Sequence, residues 1–276
     1  MAGGQNGDTP KTFWEHLDDL RSYLVRILVV VAALTVVVFC FKDVLFSIVL
    51  APKNADFVTF RAVRSLAACV QPYAHGLVDS SSVGGFESLR LINVGLASQF
   101  LVHMRTSFYF ALLIASPFVL YVLFCFISPA LYKAERRVVS LLVSSGFVMF
   151  MLGALVAYFV IIPFTVSFLG SYQVSGEVPN FIALDSYIDT FFLLLLLMGV
   201  VFELPVLSWL LAKAGLLKAS FMKRYRRHAF VAILVVAAVV TPTSDIFTLS
   251  LVSVPVFALY EFSVFLVGRL EKKARA

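Results

Sequence analysis

Six stretches of this chain are too apolar to rest in water: Tyr23–Phe41, Ser107–Phe126, Val138–Ile162, Phe191–Leu211, Ala229–Val240 and Ile246–Val267. A helix needs about 20 apolar residues to cross a hydrocarbon layer of about 30 Å. Four of the stretches approach or exceed that length. Ala229–Val240 offers 12 residues, about 18 Å of helix at 1.5 Å per residue. The last stretch is interrupted by Glu261, leaving an unbroken apolar run only from Ile246 to Tyr260. Composition points the same way. The chain is 61% hydrophobic and 14% charged, where a soluble domain carries about 25% charged residues. A secreted mini-protein, a disordered regulator and a soluble enzyme are excluded. The expectation is an all-α polytopic membrane protein. Six transmembrane helices, with a short fifth and sixth, form one domain over residues 1–276.

Charge sets the expected orientation. Lys133, Arg136 and Arg137 lie between the second and third stretches, and Lys213, Lys218, Lys223, Arg224, Arg226 and Arg227 between the fourth and fifth. Arg269, Lys272, Lys273 and Arg275 follow the sixth, whereas 164–188 and 241–245 contain no Lys or Arg. Basic loops stay on the cytoplasmic side, so both termini are expected there. The net charge of +6 then has a topogenic explanation and does not require nucleic acid. Residues 1–22 form a cytoplasmic tail with a short amphipathic helix, opened by a capping box at Thr12 to Glu15. Residues 42–106 form a long extracytoplasmic loop, partly helical, whose 53–90 portion has no assignable role. No cleavable signal peptide is expected. Cys40, Cys69 and Cys125 form no disulfide framework or metal-ligand spacing.

Acids in or beside apolar runs are the informative residues. Glu203 stands before Leu204-Pro205, well inside the fourth stretch. An ionised side chain at mid-helix costs about 2.5–3.5 kcal/mol on insertion scales. Pro205 lacks an amide hydrogen, so the Val201 carbonyl loses its helical donor and the helix kinks. Glu203 therefore either bonds that freed backbone itself or offers a polar contact to a visiting helix. Glu261 sits near a helix end and can reach the interface. Asp245 fits an N-cap for the sixth helix. Asp19 and Glu135 have basic neighbours with which they can pair locally. As a pair on one membrane face, they can instead receive two guanidinium forks. His16, His75, His103 and His228 are scattered, and no zinc helix, nucleophile elbow or phosphate loop is present. Neither an enzyme nor a metal or other cofactor is expected.

His16-Leu17-Asp18-Asp19-Leu20-Arg21 resembles the N-terminal motif of the TatC family of twin-arginine translocase subunits. Phe126-Ile127-Ser128-Pro129-Ala130-Leu131-Tyr132-Lys133-Ala134-Glu135-Arg136-Arg137 resembles that family's first cytoplasmic loop. Ala157-Tyr158-Phe159 before Pro163, Phe202-Glu203-Leu204-Pro205-Val206, and Thr241-Pro242 followed by Asp245 continue the series in order. The resemblance implies a curved, glove-like bundle in the bacterial cytoplasmic (inner) membrane. It implies binding of twin-arginine signal peptides through Asp19, Arg21, Phe126 and Glu135. Glu203 becomes an intramembrane docking point for partner or signal helices, while Pro52, Tyr158 and Asp245 take assembly or structural roles. The implied partners are the single-span TatA and TatB subunits, membrane lipid and further copies of the chain in a homo-multimer. Asp19 is one methylene shorter than the family's usual Glu. The rivals are a proton-coupled secondary transporter or channel using Glu203, for which no inverted repeat is visible, and a membrane-embedded enzyme.

Overall fold

A computed structural model describes residues 13–70, 90–127, 136–172, 175, 181–240 and 246–275. Helix α1 (Phe13–Phe39) is continuous, so no break separates the expected amphipathic segment from the first apolar run. Thr12, the expected cap, lies outside the described residues. Two further helices follow, α2 (Lys42–Leu50) and α3 (Val58–Val70), joined through a 3-10 turn at Ala51–Lys53. Helix α4 (Ser98–Ile127) begins nine residues before the apolar run that announced it. Its first turns carry Arg105, which the apolar criterion had excluded.

Helix α4 lies antiparallel against α1. Phe39, at the end of α1, stacks on His103 with centroids 4.0 Å apart and meets Phe100 edge-on at 6.3 Å. Val31 and Val38 pack with Ala111 and Ala115 further along the pair. The first turns of α1 and the last turns of α4 therefore share one end of the bundle. Helix α5 (Arg136–Val156) runs into a π turn at Ala157–Ile161 and then α6 (Ile162–Ser171). The proline ring at Pro163 crowds the carbonyl four residues back; a π turn one step upstream relieves that crowding without ending the helix.

Helix α7 (Leu184–Val201) stops at Val201, and α8 (Leu204–Lys213) restarts after two turn residues, Phe202 and Glu203. This is the interruption that Pro205 dictates. Helix α9 (Ala219–Arg224) leads to α10 (Arg226–Val240) and α11 (Ile246–Arg275). Among the described residues five helical stretches are long and apolar enough to cross a membrane: Leu20–Phe39, Ser98–Phe124, Leu141–Ser171, Leu184–Lys213 and Ile246–Lys273. The fifth expected span is α10, whose 15 residues measure only about 22 Å. The expected short sixth helix is instead a 30-residue element. Glu261 does not interrupt it, because glutamate is a good helix former and an arginine meets its charge: Arg226 Nη2 lies 2.7 Å from Glu261 Oε2.

Two close approaches fix α5 against α7. A Cβ built on Gly153 would lie 2.4 Å from the Met198 carbonyl oxygen, and one on Gly199 would lie 2.6 Å from the Phe150 ring. Without a hydrophobic force between helices in lipid, van der Waals packing at small residues of this kind holds them together. The main core gathers around this contact, with Phe191, Phe192, Leu194 and Met198 fully buried. At one end a two-residue parallel pair, β1 (Leu91–Ile92) with β2 (Ile182–Ala183), ties the approach to α4 to the approach to α7.

Candidate functional site: a buried carboxylate at a helix break

The break between α7 and α8 presents Glu203. Its backbone is held on both sides: Phe202 N–H donates to the Met198 carbonyl at 3.0 Å and Glu203 N–H to Val200 at 3.1 Å, while Leu207 N–H donates to the Glu203 carbonyl at 2.9 Å. The side chain is 6% exposed. Among the described residues neither carboxylate oxygen has a hydrogen-bond partner. The freed backbone beside Pro205 is thus not where the carboxylate goes, although its position and type made that one of two options.

The carboxylate lies instead against α5 and α4. A Cβ on Gly146 would fall 3.1 Å from Glu203 Oε2 and 3.0 Å from Phe124 Cε2. The missing side chain at Gly146 is the room that the acid occupies. Gly146, Phe150 and Gly153 follow at intervals of four and three, so one face of α5 serves both the acid and the interhelical contact. Around them Phe124, Leu142, Val206 and Leu210 form an apolar cluster. A cavity of about 260 Å³ opens beside Pro205 and Val206, between α5, α8 and α11. A second, of about 550 Å³, lies between α4, α5 and α7, walled by Phe110, Met151, Tyr158 and Leu195. A carboxyl group in such surroundings accepts or donates one strong hydrogen bond to whatever polar group reaches it.

Pro52 and Tyr158 meet through a carbonyl. Pro52 is buried in the 3-10 turn and withholds the donor that the Ile48 carbonyl would receive in a continued helix. The Tyr158 hydroxyl donates to that carbonyl at 2.9 Å. Pro163 withholds the corresponding donor from Phe159, and the Thr59 hydroxyl donates to Phe159's carbonyl. Tyr187, not singled out in sequence, donates to the Val49 carbonyl at 2.7 Å. The α2–α3 segment is therefore latched to the π turn and to the start of α7 by hydroxyls on backbone oxygens. The family resemblance gave Pro52 and Tyr158 assembly or structural roles, but nothing in the sequence showed that they meet or that Thr59 and Tyr187 join them.

The remaining candidates are placed less fully. Arg21 is exposed on α1. Asp19 lies on the backbone of α1 and Phe126 on that of α4, at the shared end of that helix pair, but their side chains lie outside the described residues. Glu135, which directly precedes α5, and Asp245 also lie outside them. Sequence reading missed the Arg105 pair: its Nη1 reaches both oxygens of Asp189, at 3.1 and 3.0 Å, across α4 and α7. Among the described residues no group of three or more His, Cys, Asp or Glu is arranged to hold a metal ion.

Residues 15–255 match a family model described as Sec-independent protein translocase protein (TatC). The chain belongs to the TatC family. It is similar to the Sec-independent protein translocase protein TatC of Blattabacterium sp. subsp. Periplaneta americana, 30% identical over 270 residues that cover 98% of this chain and 99% of the relative. The TatC protein of Deinococcus radiodurans is 32% identical over 254 residues, covering 92% and 84%. The crystal structure of a twin arginine translocase receptor, TatC in DDM, superposes with a TM-score of 0.72 at 27% identity, covering 91% of this chain and 99% of that one. As a TatC protein the chain is a multi-helical membrane protein of Sec-independent protein translocation, and its role is protein transport.

Proposed function

We propose that this TatC protein is the signal-peptide receptor and assembly core of a twin-arginine translocase, non-enzymatic and resident in the bacterial inner membrane with both termini cytoplasmic. The observation that carries the proposal is the Glu203 carboxylate, buried at a helix break with both oxygens unpartnered among the described residues. If ionised it costs about 2.5–3.5 kcal/mol on insertion scales, and an unmet buried polar group costs about 1–3 kcal/mol. A docking helix that carries a donor recovers part of both. That makes Glu203 a contact for single-span TatA and TatB type partners, or for the apolar part of a signal peptide.

Capture precedes docking in this mechanism. Paired arginines of the signal bind the carboxylates of Asp19 and Glu135 bidentately, with Arg21 and Phe126 beside them, and the apolar segment then moves along the bundle towards Glu203. The antiparallel α1–α4 pair supports this by bringing the backbones of Asp19 and Phe126 to one end. The alternation of basic loops supports the orientation.

Photo-cross-linking of twin-arginine and twin-lysine signal peptides to wild type, Asp19→Ala, Glu135→Ala and Glu203→Leu chains tests both stages. The acid variants at 19 and 135 lose capture of the twin-arginine peptide, whereas Glu203→Leu keeps capture and loses transport. Equal capture by every combination overturns the receptor assignment, and full transport by Glu203→Leu overturns the docking role.

A further inference from the structure

The elbow between α8 and α10 has two unlike faces. Helix α8 ends at Lys213, Gly215 takes a left-handed φ of 75° that only glycine adopts without strain, and α9 carries the chain back to α10. The inner face is packed: Ala219 and Met222 are buried against Val264 and Val267 of α11. It is also bonded. Glu271 Oε1 accepts from Ala219 N–H at 2.9 Å, Tyr260 O–H donates to the Met222 carbonyl at 2.8 Å, and Arg226 pairs with Glu261. The acids of α11 nearest the elbow are thereby engaged, one by an amide and one by Arg226.

The outer face is left with cations and apolar groups together. Lys218, Lys223, Arg224 and Arg227 are all exposed, and among the described residues no acid lies within ion-pair distance of any of them. Leu216 is 75% and Phe221 56% exposed. The Phe221 ring packs on Tyr225 with centroids 4.6 Å apart, and Tyr225 lies 5.5 Å from His228. Both flanking helices run into apolar sequence, so the elbow must lie where headgroups meet hydrocarbon. Helix α10 is only about 22 Å long, a mismatch with the hydrocarbon layer that thinning of the layer, snorkelling of the flanking cations or oligomerisation relieves.

We infer that this elbow is a binding site for the phosphate headgroup of anionic phospholipid. Lys218, Lys223, Arg224 and Arg227 supply the cations, and Leu216, Phe221 and Tyr225 enter the boundary beneath the headgroup. A topogenic role needs the number of positive charges and nothing of their arrangement. It leaves unexplained why large apolar side chains stand among them on the outward face, the pattern of a surface-lying amphipathic segment. The α11 contacts hold the backbone in place, so the site is preformed.

The test uses the full chain in nanodiscs of phosphatidylcholine, with and without phosphatidylglycerol. Lipid retained after release into detergent is counted by native mass spectrometry. Each basic residue near an anionic surface is worth a factor of about five in affinity. Lys218→Gln/Lys223→Gln/Arg224→Gln should therefore lose more than tenfold of the retained phosphatidylglycerol. The control Arg269→Gln/Lys272→Gln/Lys273→Gln, with the same loss of charge, should retain it. Independently, Phe221→Trp emission, read against the unsubstituted chain, should be quenched more by brominated phosphatidylglycerol than by brominated phosphatidylcholine. Equal losses in the two triple variants, equal retention or quenching by the two lipids, or displacement of the lipid by inorganic phosphate would each overturn the site.

Discussion

Gly153→Ala tests whether the helix crossing, rather than general greasiness, holds Glu203 in place. The added methyl would sit 2.4 Å from the Met198 carbonyl oxygen and 2.8 Å from Phe202 Cγ. A carbon and a carbonyl oxygen rarely approach closer than about 3.3 Å even in weak hydrogen-bonded contacts, so α5 and α7 must separate by nearly 1 Å. Overpacking costs about 1–3 kcal/mol. The upper half of that range applies here, because the obstacle is backbone and cannot rotate away. The same carbonyl accepts from Phe202 N–H at 3.0 Å, at the turn that carries Glu203. The displacement therefore reaches the acid. Purified Gly153→Ala should unfold about 4–12 °C lower in detergent, at about 2–4 °C per kcal/mol, and should transport poorly. Gly199→Ala is the internal comparison, since its obstacle is the Phe150 ring. Gly199→Ala/Phe150→Leu should recover stability, while no side-chain truncation should rescue Gly153→Ala. An unchanged melting temperature for Gly153→Ala would refute the argument.

Glu203→Leu should raise thermal stability, because a buried group with no partner among the described residues is replaced by an apolar one; a lower melting temperature would mean that the carboxylate serves the fold. Tyr187→Phe leaves the Val49 carbonyl without its hydroxyl and should cost about 1–3 kcal/mol, read from thermal unfolding; a neutral result would show that the α2–α3 latch contributes nothing. Arg105→Ala should cost under about 1 kcal/mol, because its pair with Asp189 is half exposed and such pairs are weak. The swap Arg105→Asp/Asp189→Arg should then restore wild-type stability, and a loss well beyond that size would mark the pair as a buried determinant.

Proline was a signal at two places and silent at two others, since Pro117 and Pro255 lie inside the continuous helices α4 and α11. Pro205 announced the break beside Glu203, and Pro163 sits just past the π turn, because a missing amide and a crowding ring act through covalent geometry alone. Charge was no more dependable. Glu261 reads as an interruption in a linear scan, yet the helix passes through it, since Arg226 lies 35 positions earlier in sequence and 2.7 Å away in space. Arg105 falls in what reads as loop because a hydropathy scan stops at the first cluster of polar residues, whereas a helix does not. The acid at 203 was visible as an oddity, but Gly146, which makes its room, carried no signal.

Apolar content and the length of its runs settled by themselves that this chain lives in a bilayer as packed helices, since unpaired backbone has no alternative there. The ordered motifs settled its family. Which carbonyl each hydroxyl serves, which acid is matched and which is left waiting depended on approaches between helices far apart in the chain. Those approaches are set by the shapes of side chains on both partners at once, so no single stretch of residues encodes them. The unpartnered state of Glu203 among the described residues is of that kind: the acid stands out along the chain, but whether a neighbour answers it is decided only in three dimensions.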